Sequence, residues 1–192
     1  MRLLLVRHGA TTALPGTFIG STDLPLSGKG LERLAGVADQ LAQAQLWYGS
    51  PMLRVRQTID ALAGWGCSPV ELVIDERLRE IDFGRWEQKT FAEIEAIDAA
   101  GVREWSRYLD FTFPEGEAVQ DFIDRVAAML DVLHKAEVEN ITVIAHGGVI
   151  RTMICLVLGI SPQNYLLFDV TPASLTILDL YSEGGILKAL NL

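Results

Sequence analysis

The sequence predicts an α/β fold, a three-layer sandwich in which helices flank a mostly parallel central sheet. Short apolar runs alternate with stretches of helical periodicity, an order that favours parallel strands joined by helices. The run at residues 141–145 is the strongest strand signal because it is rich in β-branched residues. The chain shows no internal repeat and no linker rich in proline or serine. We therefore predict a single domain over residues 1–192, with a small helical excursion at about 80–117.

The composition indicates a globular protein. Of the 192 residues, 49% are hydrophobic and 21% are charged, which excludes disordered and low-complexity classes. A chain of this length buries roughly 70% of its extended-chain surface, enough for a core without disulfides. The formal net charge of −9 makes the protein a poor general partner for nucleic acids or anionic membranes. A phosphate group could still bind in a local basic pocket.

Cysteine content and apolar run lengths predict a soluble, cytoplasmic protein. Cys67 and Cys155 are too few for a disulfide framework or a cysteine-rich metal site. The apolar run at residues 3–6 is shorter than the about 7–15 residues of a secretory signal, and we interpret it as the first strand. No apolar run approaches the roughly 20 residues of a membrane span.

The first half of the chain predicts two helices and two further strands. Residues 16–25 are rich in Gly, Pro, Thr and Asp, which indicates a loop. Ser27 is a typical N-cap for a helix whose apolar residues recur at helical spacing. Strands are predicted at residues 47–49 and 72–74, with a helix through residues 58–63 between them.

The second half predicts a longer helix and three strands. Two short helices are expected within the excursion, which Pro114 and Gly116 end. An apolar stripe then predicts a long amphipathic helix. Its members are Val119, Phe122, Ile123, Val126, Leu130 and Leu133. The remaining predicted elements are the strand at 141–145, a helix at about 149–158, and strands at 173–180 and 186–190.

Two of these strands run directly into histidines. Arg7 and His8 follow the first strand, and His146 and Gly147 follow the strand at 141–145. Ligands of parallel sheets bind beyond the carboxyl ends of the strands. If the two strands are neighbours, the two histidines converge at one crevice.

Four segments carry candidate chemistry for a phosphate ester. Arg7 beside His8 offers an anion clamp and a candidate nucleophile. Arg54 lies on the first turn of a predicted helix, and His146 precedes a helix N-terminus, which favours anions. Glu80 combines acidic and bulky apolar neighbours, a setting that can raise the pKa of a general acid. Taken singly, each segment has an ordinary structural alternative: a surface turn, a solvated arginine, a structural histidine or a loop carboxylate.

Other phosphate-binding motifs are absent from the sequence. It contains no P-loop, no Gly-x-Gly-x-x-Gly fingerprint and no Cys-x₅-Arg phosphatase loop. Its three histidines show no metal-ligand spacing. We therefore expect phosphate chemistry without a metal or other cofactor.

Taken together, the four segments resemble the histidine phosphatase superfamily, also called the phosphoglycerate mutase-like family, in order and spacing. The resemblance spans residues 1 to about 155. It implies that His8 is the nucleophile that becomes phosphohistidine and that Glu80 is the proton donor. It also implies four residues that bind the phosphate group, and it assigns His146, one of the four, a catalytic role in addition. They are Arg7, Arg54, His146 and Gly147.

The substrate pocket is predicted from loops that flank these motifs. The loop at residues 20–30 resembles the family's loop before its first long helix. We assign Gly20, Ser21, Asp82 and Trp86 to the pocket, whereas Trp105 is expected to be a packing residue.

The sequence departs from the family pattern at three positions. Ala10 and Leu14 replace the usual Glu and Asn of the first motif, and Gln88 replaces a usual Gly. The missing Asn removes one expected phosphate contact, which predicts altered substrate choice or slower turnover.

The expected activity is a metal-independent phosphomonoesterase acting on a small phosphomonoester. The alternatives are a broad-specificity sugar-phosphate phosphatase, a phosphoglycerate mutase and a non-catalytic phospholigand-binding module. A mutase is disfavoured because mutases of this family carry a longer insertion after the Glu segment. No nucleic-acid or membrane partner is expected, and a homodimer is left open.

Overall fold

A computed structural model describes residues 1–41 and 46–192, and its described strands form one six-stranded sheet. The strands are β1 (Arg2–Arg7), β2 (Leu46–Gly49), β3 (Glu71–Ile74), β4 (Asn140–Ala145), β5 (Leu175–Tyr181) and β6 (Gly184–Ala189). The helices are α1 (Gly28–Leu41), α2 (Leu53–Gly64), α3 (Phe91–Ile97), α4 (Ala99–Trp105), α5 (Val119–His134) and α6 (Gly147–Val157).

The sheet has the order β3-β2-β4-β1-β5-β6. The first four strands in this order are parallel, whereas β5 and β6 are antiparallel to their neighbours. The predicted parallel sheet is thus correct for its main part, and the sheet as a whole is mixed. The tight turn between β5 and β6 makes that pair antiparallel, because a parallel pair needs a crossover of a dozen or more residues.

Helices cover both faces of the sheet, which confirms the predicted three-layer architecture. Alternate side chains of β1 enter opposite layers, as the pleat of a strand requires. Leu3 and Leu5 pack with α5 and α6, while Leu4 and Val6 pack with α1 and α2. Both faces of β1 are therefore buried, and its end is held in the centre of the molecule.

The short helices predicted within residues 80–117 are α3 and α4. Thr90 caps α3 in a capping box with Glu93, and Asp98 caps α4 by accepting from the backbone N–H of Gly101. The excursion packs on the α5 and α6 side of the sheet, around the indole ring of Trp86. It stands beside the carboxyl end of β1.

Element boundaries differ from prediction by a few residues where caps and backbone angles decide them. Ser27 caps α1 as predicted, since its hydroxyl accepts from the N–H of Gly30. Helix α6 begins at Gly147 rather than near 149, with His146 as its N-cap residue. Strand β5 begins at Leu175 rather than 173, because Ala173 has a φ of 56°, outside the strand region. Within the described ranges, no helix has the length and apolarity needed to cross a membrane.

Candidate active site

The carboxyl ends of β1 and β4 bring the two predicted histidines together. The strands are neighbours, with Arg7 paired to Ala145. The ring centroids of His8 and His146 lie 5.1 Å apart, and the rings meet edge to face at 64°. Both side chains are buried, so their protonation states are set by the protein rather than by water.

The hydrogen bonds of His8 define its tautomer. Its Nδ1 lies 2.7 Å from the carbonyl oxygen of Gly9. A carbonyl oxygen only accepts hydrogen bonds, so Nδ1 carries the proton and Nε2 holds a lone pair. Burial, followed by the charges of Arg54 and Arg7, lowers the pKa of His8 well below its usual 6.5. His8 is therefore a neutral imidazole with a free nucleophilic nitrogen.

His146 has both ring nitrogens engaged. Arg54 donates from Nε to Nδ1 of His146 at 3.2 Å, so Nε2 carries the proton and donates to the Ser50 hydroxyl at 2.8 Å. Burial, Arg54 and His8 lower the pKa of His146 well below 6.5. His146 lies beneath Arg54 and does not line the cleft described below. A direct bond to phosphate requires Nε2 to leave Ser50, so the predicted phosphate and catalytic roles of His146 stay predictions.

Arg54 is fully buried near the N-terminus of α2. Its two terminal nitrogens donate to the carbonyl oxygens of Gly20 at 2.8 Å and Thr22 at 2.9 Å. A buried guanidinium needs acceptors for its five N–H groups. The loop that contains residues 20–22 therefore fixes the orientation of this arginine.

The guanidinium group of Arg7 makes fewer hydrogen bonds than that of Arg54. One terminal nitrogen donates to the carbonyl oxygen of Val170, and its buried Nε lacks a hydrogen-bond partner among the described atoms. A Cβ atom at Gly147 would lie 3.2 Å from Cζ of Arg7. Gly147 thus leaves the space in which the Arg7 guanidinium lies.

Glu80 reaches the same region from the start of the excursion. Its Oε2 accepts from the N–H of Gly148 at 2.9 Å, and Oε1 accepts from the N–H of Ile81 at 3.1 Å. A Cβ atom at Gly148 would lie 2.3 Å from Oε1 of Glu80 and would displace the carboxyl group. The two glycines after His146 therefore make room for two different side chains, one cationic and one acidic.

These groups open onto a cleft of about 670 Å³. Arg7, His8, Arg54 and Glu80 line one end, together with Gly147. Aromatic side chains and Arg151 line the rest, and the sequence analysis did not assign them to the site. The aromatic side chains are Phe18, Phe83, Trp105, Tyr108, Phe113, Phe122 and Tyr165. The feature of the sequence that could have indicated these cleft residues is the high density of aromatic residues in the excursion.

The predicted pocket residues Gly20, Ser21, Asp82 and Trp86 do not line this cleft, and their assignment to the substrate pocket stays a prediction. Trp86 is 1% exposed, and its indole N–H donates to Asp98 at 3.1 Å, because the excursion folds around it. The Ser21 hydroxyl donates to Asp82 at 2.9 Å behind the cleft wall. Ser21, Asp82 and Trp86 are thus bonded to other side chains of the protein.

The three departures from the family pattern occupy different places. Ala10 and Leu14 line the cleft, and Leu14 is 75% exposed at its rim. Gln88 is exposed and has a φ of 61°, a backbone angle that favours glycine. Across residues 1–41 and 46–192, no three His, Cys, Asp or Glu side chains form a group suited to a metal ion. Independence from metals stays a prediction for experiment.

Comparisons with known proteins agree with this geometry. A sequence profile of the histidine phosphatase superfamily (branch 1) matches residues 3–192. The adenosylcobalamin/alpha-ribazole phosphatase of Escherichia coli is 27% identical over 196 residues, covering 100% of this chain and 96% of the relative. Phosphoserine phosphatase 1 of Hydrogenobacter thermophilus is 25% identical over 197 residues, covering 100% and 92%. Among solved structures, the alpha-ribazole phosphatase from Shigella flexneri superposes with a TM-score of 0.87 and is 26% identical in sequence. The match covers 100% of this chain and 96% of that chain.

Proposed function

This chain belongs to the histidine phosphatase superfamily and is a phosphatase, and from that premise we propose that it hydrolyses α-ribazole 5′-phosphate through a phosphohistidine on His8. The hydrogen bond between Nδ1 of His8 and the carbonyl oxygen of Gly9 is the observation that carries the mechanism. The Nδ1–H group donates to this oxygen, which leaves Nε2 unprotonated at the end of the cleft that Arg7, Arg54 and Glu80 also line. Hydrolysis of α-ribazole 5′-phosphate is a step in the assembly of the nucleotide loop of cobalamin, so this activity would place the protein in that pathway.

The first chemical step forms the phosphoenzyme. Nε2 of His8 attacks phosphorus, and the bond between phosphorus and the ester oxygen breaks. Glu80 donates its proton to the departing alkoxide, which is a poor leaving group without it. Arg7 and Arg54 stabilise the charge on the transferring phosphoryl oxygens. The nucleophile needs no deprotonation, because burial and the two arginines keep the His8 imidazole neutral.

The second step hydrolyses the phosphoenzyme. Glu80 is now a carboxylate and takes a proton from the attacking water. The oxygen of that water bonds to phosphorus, and the bond between phosphorus and Nε2 breaks. Inorganic phosphate leaves, His8 is again a neutral imidazole, and Glu80 is again protonated.

The aromatic walls of the cleft support the substrate assignment. An α-ribazole ester carries a flat benzimidazole ring, which can stack on aromatic side chains. Phe18, Trp105 and Phe83 meet in edge-to-face contacts, with centroids 5.0 Å apart for the two phenylalanines and 5.7 Å apart for Phe18 and Trp105. The segments at residues 78–87 and 113–117 also resemble α-ribazole phosphatases in sequence.

Arg151 favours a second candidate substrate, phosphoserine. Its guanidinium lines the cleft and donates to the carbonyl oxygen of Phe168 at 2.8 Å. Its carboxylate neighbour, Asp169, lies 3.9 Å away and is 81% exposed at its side chain, which makes a weak ion pair. Arg151 could therefore bind a carboxylate on a substrate.

A panel of phosphomonoesters tests these assignments. We expect kcat/KM for α-ribazole 5′-phosphate to exceed the values for ribose 5-phosphate and phosphoserine. A preference for phosphoserine over phosphoethanolamine that disappears in Arg151→Gln would instead support the second candidate. Equal values across the panel would indicate a broad-specificity phosphatase, and dependence on 2,3-bisphosphoglycerate would indicate a mutase. Phosphate binding without any release would overturn the catalytic assignment.

A further inference from the structure

The orientation of Arg54 depends on a loop that requires support of its own. The loop contributes the carbonyl oxygens of Gly20 and Thr22, which hold the two terminal nitrogens of Arg54. Residues 20–22 belong to no helix or strand. Their peptide N–H groups therefore need partners outside regular secondary structure.

Glu87 supplies those partners from the excursion. Its carboxylate accepts from the N–H groups of Gly20 at 2.9 Å, Ser21 at 2.8 Å and Thr22 at 3.3 Å. It also accepts from the N–H of Phe83 at 3.3 Å. A carboxylate surrounded by several N–H groups of successive residues is an internally filled anion nest.

The loop backbone thus lies between an anion and a cation. Gly20 donates its N–H to Glu87 and accepts from Arg54 at its carbonyl oxygen, and Thr22 does the same. A Cβ atom at Gly20 would lie 1.8 Å from the carbonyl oxygen of Ile81, so no other residue type fits between these groups. Glu87 also acts on Arg54 by charge, since it opposes the lowering of the Arg54 pKa that burial causes.

We propose that Glu87 is a positioning residue for the phosphoryl group, acting through the loop at residues 20–22 to orient the guanidinium of Arg54. The inference rests on the proposed function, in which Arg54 binds that group. Glu87 is not an alternative general acid in this arrangement, because Glu80 lines the cleft into which His8 opens and Glu87 does not.

Glu87→Gln is the informative substitution. An amide keeps the shape of the carboxyl group, but its NH₂ group cannot accept the N–H bonds that one carboxylate oxygen accepts. We expect the inhibition constants of inorganic phosphate and orthovanadate to rise about tenfold. We expect kcat/KM to fall by a similar factor for p-nitrophenyl phosphate and for alkyl phosphates, because the binding of the phosphoryl group is common to both. Glu87→Asp keeps the acceptors on a shorter side chain and should give an intermediate effect.

Glu93→Gln is the matched control. Glu93 is exposed and closes the capping box of α3, where a Gln is also accepted. This variant should leave the inhibition constants and kcat/KM unchanged. Thermal denaturation of all variants separates a loss of folded protein from a loss of phosphate affinity.

A double-mutant cycle with Arg54→Gln decides whether Glu87 acts through Arg54. The double variant should bind phosphate no more weakly than Arg54→Gln alone. Independent, multiplicative effects would overturn the inference, as would an unchanged phosphate affinity in folded Glu87→Gln. If Arg54→Gln itself leaves phosphate affinity unchanged, the proposed function fails first, and that outcome is distinct from failure of the inference.

Discussion

The two ends of the cleft are built by different means. The phosphate end uses residues that lie where β1 ends and α2 begins, together with Glu80 at the start of the excursion. His8 and Arg54 are buried, whereas Arg7 and Glu80 are partly exposed. The leaving-group end uses aromatic side chains from loops and from short helices of the excursion. Leu14 and Leu166 on its rim are 75% and 65% exposed. The chemistry is thus fixed by the sheet, whereas the choice of substrate depends on segments that can vary without disturbing the sheet.

This difference predicts that substitutions at the phosphate end slow every substrate, with the largest effect at His8. His8→Ala should lower kcat by several orders of magnitude for all substrates, because no phosphoenzyme can form. Acid-quench trapping should give an acid-labile, base-stable phosphoenzyme for the wild type and none for the variant. His134→Ala, on the exposed side of α5, is the control and should be fully active. Substantial turnover by His8→Ala would remove His8 from the mechanism.

The effect of Glu80→Gln should depend on the leaving group, because Glu80 lies at the phosphate end and donates its proton to the group that departs. The amide cannot donate a proton, so phosphoenzyme formation from alkyl phosphates should slow by roughly 10²–10⁴-fold. Release of p-nitrophenolate needs little protonation and should slow far less. Single-turnover measurements isolate this step from hydrolysis of the phosphoenzyme, in which Glu80 also acts. Equal slowing for both substrates would show that Glu80 is not the acid.

The buried histidines should make the folded state sensitive to acid. Both histidine pKa values are lowered in the folded protein, so below about pH 6.5 the unfolded chain binds protons that the folded chain does not. The free energy of unfolding should therefore fall as pH falls from about 6.5, by up to about 2.7 kcal/mol per pH unit while both rings stay neutral. Urea denaturation between pH 7 and pH 5 measures this slope. His8→Ala should roughly halve it, and an unchanged slope in that variant would contradict the assignment.

Substitutions at the leaving-group end should affect one substrate class. Trp105→Leu removes an aromatic surface from the cleft wall, and aromatic contacts of this kind contribute about 0.5–1.5 kcal/mol. The kcat/KM for α-ribazole 5′-phosphate should fall up to about tenfold, while that for ethyl phosphate should stay constant. Trp65 is 45% exposed and does not line the cleft, so Trp65→Leu is the matched control. A uniform loss across substrates would place Trp105 in the support of the phosphate end.

Removal of divalent metal ions with EDTA should have the smallest effect on activity of all these changes. The proposed mechanism assigns every role at the phosphate end to side chains, so EDTA should leave kcat unchanged. A loss of activity that a divalent ion restores would show that a metal takes part.

The contrast between the two ends also explains what the sequence could predict. His8 and His146 each follow a strand within one local motif, so the sequence predicts that they meet on the condition that the two strands are neighbours, as β1 and β4 are. The cleft walls combine Phe18, Trp105 and Tyr165 from separate segments, and no local pattern shows that they meet. The two tryptophans show the difficulty most clearly. Sequence reasoning placed Trp86 at the site and Trp105 among the packing residues. Trp86 is buried, whereas Trp105 packs against the core and also lines the cleft, because only the folded excursion decides which ring faces the cleft.

Strand β1 has a consequence for the order in which this enzyme is made. Leu3 pairs with Ile141 on one side and with Leu178 on the other, so the central strand is synthesised first and its two neighbours come late. At about 5–20 residues per second, the apolar strand that precedes His8 waits on the order of ten seconds for its first partner. Long-range pairing of this kind slows folding and leaves a strand edge open to other chains. During translation, the nascent chain therefore contains His8 long before strand β4 can bring His146 beside it.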